Sequence, residues 1–160
     1  MVKNSKNLLI KFIFLVSIIA LVSAFFIEYF LGHQPCNLCV LERIPYLLAL
    51  IVVLLNYKFI QFEKFFILLL TIIFLAGTAL SLYHLGIEQG FIQESLVCDL
   101  KNGSNLLSKE EILKQLQEKS VSCKDVTFKI FGLSLTSYNI LISLLITISA
   151  GKIYFNYDKN

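Results

Sequence analysis

The chain has 160 residues, 57% of them hydrophobic and 16% charged, with a net charge of +3 and a mean hydropathy of +0.76. That balance is too apolar for a soluble domain of this size, so lipid is the expected solvent for most of the chain. The basic residues are scattered, with no basic stripe or stacking platform, so the charge says little about nucleic acid and no such partner is expected.

Taken in chain order, the first element is the apolar run Leu8 to Tyr29, near the ~20 residues a membrane helix needs. Lys3 and Lys6 precede it, and Val22-Ser23-Ala24 has the small residues of a signal-peptidase site. A signal core spans only ~7–15 apolar residues, whereas this run continues through Phe25, Phe26 and Ile27, so a membrane span over 8–29 is predicted. The second run, Ile44 to Tyr57, has 14 residues. At ~1.5 Å per residue that is roughly 21 Å, short of the ~30 Å hydrocarbon thickness. The span must borrow residues before Ile44, and is placed at 40–57. Either a helix includes Cys39 and kinks at Pro45 in its second turn, or Pro45 marks the first turn and the Cys39 segment is a loop at the same depth. Cys39 is at the membrane boundary in both cases.

The third run, Phe65 to Leu85, predicts a span over 65–86, and the fourth, Phe131 to Ala150, one over 131–151. Between them, Ser108-Lys109-Glu110-Glu111 reads as a capping box, followed by Ile112, Leu113 and Leu116 at helical spacing. A short amphipathic helix resting on the bilayer surface is expected there. No internal repeat or low-complexity tract is present. The expected fold is all-α: an integral membrane four-helix bundle, one domain over 1–160, with two extracytoplasmic loops at 30–39 and 87–130.

Lys3, Lys6 and Lys11 flank or enter the first span, Lys58 and Lys64 lie between the second and third, and Lys152 and Lys159 follow the fourth. The positive-inside bias makes both termini cytoplasmic and turns the two remaining loops outward. All four cysteines fall in those loops: Cys36 and Cys39 in the first, Cys98 and Cys123 in the second. An exported face is an oxidising compartment, where disulfides persist.

Cys36-Asn37-Leu38-Cys39 is a C-x-x-C pair, the spacing of dithiol–disulfide chemistry, in which each sulfur can activate or resolve the other. A permanent disulfide or half a zinc site is the alternative, but zinc asks for four ligands and His33 is the only other nearby candidate, so no metal site is expected. Arg43 lies four residues after Cys39, where a shared helix would put both on one face. There it would favour the Cys39 thiolate and donate to a polar head group of a lipid-dissolved acceptor; the alternative is an interfacial anchor paired with Glu42 or Glu28. Cys98 and Cys123 either exchange partners as an electron relay or statically staple the long loop, and four cysteines leave three pairings open. His84, beside Tyr83 at the outer end of the third span, is either an interfacial residue or a contact to the acceptor and its protons.

Gln-Pro-Cys-Asn-Leu-Cys-Val-Leu-Glu-Arg at 34–43, Tyr-His-Leu-Gly-Ile-Glu-Gln-Gly at 83–90, and Ser-Cys at 122–123 followed by Phe-Gly-Leu-Ser at 131–134 together resemble the bacterial disulfide-bond formation protein B (DsbB) family. The resemblance runs from about the first span to the last. It implies a bundle in the inner membrane that binds ubiquinone or menaquinone and reoxidises a periplasmic thioredoxin-fold oxidase of the DsbA kind. By position, Cys39 resembles the cysteine adjacent to the quinone and Arg43 the arginine beside it. Cys98 resembles the cysteine attacked by the partner's thiolate, Cys123 the one that forms a transient bond to Cys36, and His84 a histidine near the quinone pocket. Phe128 and Tyr138 stand near places where that family often carries tryptophan, which this chain lacks. The rival readings are a metal-binding or metal-transport membrane protein, a structural protein with inert cysteines, and an oxidase resembling vitamin K epoxide reductase.

Overall fold

A computed structural model of the chain describes residues 2–93, 122–124, 129–130 and 132–157. Cys98 and the amphipathic helix expected after Ser108 lie outside the described residues. Helix α1 (Val2–Tyr29) is followed by the short α2 (Asn37–Leu41), then α3 (Ile44–Lys58). A single 3₁₀ turn at Ile60–Phe62 leads into α4 (Glu63–Glu88). A two-stranded hairpin, β1 (Lys129–Ile130) and β2 (Leu133–Ser134), precedes the last helix, α5 (Leu135–Phe155).

The break between α2 and α3 is where Pro45 requires it. Proline has no amide hydrogen to give the carbonyl four residues back, and its ring crowds that carbonyl. The residue four back from Pro45 is Leu41, the last of α2. Pro45 then takes the first turn of α3, where a missing donor costs nothing. Both sequence expectations for this segment are therefore partly realised: Cys39 is helical, and Pro45 still opens a helix. Together α2 and α3 form one apolar stretch of 22 residues, Asn37–Lys58, long enough to cross a bilayer.

The fourth helix begins later than the apolar run starting at Phe131 suggested. Gly132 adopts φ +82, which favours glycine, and turns the chain so that Lys129 pairs with Ser134 and Ile130 with Leu133. Ser134 then caps α5, its Oγ accepting from the Ser137 amide at 3.4 Å. A short apolar run does not distinguish strand from helix by composition, which is why the boundary was not visible in the sequence.

α1 packs on α3, α3 on α4, α4 most extensively on α5, and α5 closes the ring on α1. The core contains Ile10, Ile13, Ala49, Val53, Phe74 and Ile146, with the Tyr46 ring meeting Phe74 edge-on at 5.7 Å. Between helices in lipid, packing rather than water exclusion supplies attraction, and small residues let backbones approach. Gly77 does this against Pro45: a Cβ there would stand 3.1 Å from the proline ring. Between 17% and 39% of each span is buried, and the outward side chains, such as Leu15, Ile19, Leu54, Leu75 and Leu145, are apolar. That exterior suits lipid, and the four apolar helices make a four-helix membrane bundle.

Candidate active site

At one end of the bundle the first residue before α2 is Cys36. Its extended backbone (φ −69, ψ 166) caps the helix, and its Sγ accepts from the Cys39 amide at 3.2 Å. One helical turn brings the Cys39 sulfur to 2.7 Å from that of Cys36, and both are free thiols. From α4, His84 is buried with Nε2 3.5 Å from Cys36 Sγ. Its other nitrogen, Nδ1, is 2.8 Å from Glu42 Oε1. An ionised carboxylate only accepts, so Nδ1 donates and Nε2 is the nitrogen left for sulfur chemistry.

Glu42 is itself held on both oxygens. Asn139 of α5 donates to Oε2 at 2.9 Å and shares its amide with Ser81 Oγ at 2.8 Å. The Tyr46 hydroxyl donates to Asn139 Oδ1 through a short hydrogen bond. Thr136 donates to Glu88 Oε1 at 2.7 Å, and its oxygen lies 3.2 Å from His84 Nδ1. A buried carboxylate is tolerated at this depth only with such partners, and a satisfied network also fixes the ring of the histidine. The hydrogen bond from Cys39 holds the Cys36 thiol well below its ordinary value, at about 5; His84 adds to the effect and burial opposes it. A thiolate is the nucleophile in disulfide exchange, so this geometry favours reaction at Cys36.

Of the residues singled out in the sequence, Cys36, Cys39 and His84 meet in this cluster. Cys123 is buried and packs with Cys36, Leu38 and Ile87, with Cys39 and Tyr83 at the edge of the same group. It carries a disulfide. Arg43 goes elsewhere: its guanidinium pairs with Glu28 of α1 at 2.5 Å and lies over the Phe25 ring at 5.1 Å. The helix break before Ile44 removes the shared face with Cys39 that an unbroken helix would have given. The histidine at the sulfurs is also His84 and not His33, the nearer one in sequence.

Glu42, Ser81, Glu88, Thr136 and Asn139 were not singled out as site residues from the sequence, although a signal was there. Ser81, His84 and Glu88 recur at helical spacing on α4, and Thr136, Asn139 and Ser143 repeat the same i, i+3, i+7 pattern on α5. Polar stripes of this kind inside apolar spans face inward and mark function.

The disulfide bond formation protein DsbB family matches this chain over residues 6–152. The chain is also similar to an uncharacterized protein of Rickettsia prowazekii (strain Madrid E), 35% identical over 150 residues that cover 91% of this chain and 85% of that protein. With four apolar helices, a C-x-x-C pair at one end of the bundle, and a family match running through nearly all of the chain, the protein belongs to the DsbB family of disulfide bond formation proteins.

Proposed function

We propose that this protein is a membrane thiol:quinone oxidoreductase of the inner membrane, with both termini cytoplasmic, the whole chain acting as one domain and its cysteines facing the periplasm. It reoxidises a periplasmic thioredoxin-fold, DsbA-like dithiol protein. The observation that carries the reading is the placement of Cys36 among Cys39, His84 and the already disulfide-bonded Cys123.

In this reading the partner's thiolate attacks the Cys98–Cys123 disulfide at Cys98, and the partner leaves oxidised as the pair becomes a dithiol. The thiolate of Cys123 then attacks the oxidised Cys36–Cys39 pair at Cys36, releasing Cys39. Cys98 attacks Cys123 in turn, which restores the loop disulfide and leaves Cys36 and Cys39 reduced. A low thiol pKa makes Cys36 a good leaving group for that last exchange. His84 Nε2 takes the proton of the Cys36 thiol, and Glu42 steadies the ring while it is charged. The free sulfurs lie less than about 1 Å from bonding distance, so reoxidation demands little movement.

A membrane quinone, ubiquinone or menaquinone, supplies a two-electron, two-proton acceptor when bound. The residues suit such a group. Val40 and Ile44 present exposed apolar surface on either side of the Glu42-Arg43 turn, and Arg43 has guanidinium N–H groups beyond the one engaged by Glu28. Arg43 and His84 are the polar contacts assigned to it. An acceptor of higher potential is required because the partner is itself a strong oxidant.

The test is purified protein with quinone and reduced partner, followed by quinone absorbance. The wild type reduces quinone at the expense of partner thiols, and Cys39→Ser abolishes it; unchanged turnover in Cys39→Ser refutes the assignment.

A further inference from the structure

The same cluster has a second chemistry. Cys36 Sγ, Cys39 Sγ and His84 Nε2 all lie within 4.8 Å of one another. Two thiols and an imidazole nitrogen are the donor set that soft, filled-shell cations prefer, above all Zn²⁺. The imidazole is already set for it: with Nδ1 donating to Glu42, Nε2 turns its lone pair towards the sulfurs, the carboxylate–histidine arrangement that supports metal ligands.

Glu88 is the second, independent observation. Its side chain is 6% exposed, Oε1 stands 3.8 Å from the same His84 Nε2, and Oε2 is buried with no hydrogen-bond partner among the described residues. A buried carboxylate oxygen without a partner, on a side chain that stands beside one of the three ligands, is a group short of a cation. Its hard oxygen also favours Zn²⁺ over Cu⁺, which asks for sulfur and nitrogen alone.

We propose that the reduced form of this centre is a Zn²⁺ site, with Cys36, Cys39 and His84 as ligands and Glu88, beside His84, as the oxygen donor that completes the set. The sulfurs now sit 2.7 Å apart. Zinc–sulfur bonds of about 2.3 Å at a tetrahedral angle separate two sulfurs by about 3.7 Å, so they must part by about 1 Å, within reach of side-chain rotation. The dithiol and Zn²⁺ give a zinc dithiolate and two released protons, with no change of oxidation state. The Cys36–Cys39 disulfide has no thiolates to offer, so binding is confined to the reduced protein. On the redox role proposed above, bound zinc occupies both sulfurs and stops turnover until a chelator removes it.

The experiment titrates Co²⁺, a spectroscopic stand-in, and then Zn²⁺ into full-length protein in detergent, in dithiol and disulfide forms. The reduced wild type takes one Co²⁺ per chain with thiolate-to-cobalt charge-transfer absorption, which Zn²⁺ abolishes, and the oxidised wild type shows none. This contrast needs no variant and so does not depend on a mutant folding. His84→Ala weakens binding about 100-fold and Glu42→Gln about 10-fold, whereas His33→Ala leaves it unchanged. Absence of the charge-transfer band in the reduced protein, equal binding by the oxidised protein, or sensitivity to His33 in place of His84 overturns the proposal. Quinone reduction by metal-free protein is read separately, so failure of the zinc site and failure of the redox assignment are told apart.

Discussion

Glu42 and Arg43 are neighbours in sequence and opposite in fate. Glu42 is buried, accepts from His84 and Asn139, and so belongs to the sulfur cluster. Arg43 turns to α1, pairs with Glu28 and covers Phe25, with more of both charged groups open to the surroundings. The chain makes this division at the Pro45 break, where one residue of the turn faces inward and the next faces the rim. A charge inside the bundle has to be useful to its neighbours, because desolvation is costly there. One at the rim is available to a molecule arriving from the lipid. The two residues are thus expected to affect different steps: Glu42 the reactivity of sulfur, through His84, and Arg43 the affinity for the acceptor.

The largest effect expected on the inner side is that of His84→Ala. Removing a proton acceptor positioned at the thiol lowers turnover about 10²- to 10³-fold, measured as quinone reduction at saturating partner and quinone. Glu42→Gln leaves His84 in place but takes away the charge that orients it. Its turnover is expected to fall about 10- to 100-fold with the quinone KM little changed. On the rim, Arg43→Gln does the reverse: the quinone KM rises about 10-fold, worth about 1.4 kcal/mol, while thiol exchange with the partner keeps its rate. A KM effect in Glu42→Gln, or a thiol-exchange defect in Arg43→Gln, breaks the division.

A subtler test concerns the sulfur itself. With the Cys36 thiol at about 5, the thiolate persists as pH falls and is lost only when pH drops through that value. Alkylation of reduced protein at Cys36 should therefore be nearly flat from roughly pH 8 to 6 and decline below it. Because the Cys39 hydrogen bond is the largest cause, Cys39→Ala should move the inflection up towards the ordinary thiol range of about 8.5. A profile in wild type that already inflects in the ordinary range contradicts this geometry.

The fold was largely legible because lipid imposes a simple rule: runs of apolar residues of membrane-spanning length stand out from everything else. What that rule does not mark is a boundary set by local chemistry, such as Gly132 and Ser134 holding the last helix back to Leu135. In the site, C-x-x-C announced itself by spacing alone. That His84 meets Cys36, 48 residues away, depends on how α4 docks against α2 and α3, which no local pattern states. Arg43 shows the converse. Its four-residue offset from Cys39 suggested a shared face, and Pro45 cancels that offset by ending α2 at Leu41. Glu42, Asn139 and Thr136 were written in the sequence as polar residues in apolar spans, but a polar residue does not say which partner satisfies it.

An electron path between the two loops requires the packing of Cys123 against Cys36. In Cys39→Ser, Cys36 has lost its usual partner and has that neighbour beside it. Peptide mapping by mass spectrometry, after isolation under non-reducing conditions, is predicted to find a Cys36–Cys123 disulfide. Cys36 recovered as a free thiol, with the disulfide of Cys123 unchanged, would contradict an electron path between the two loops.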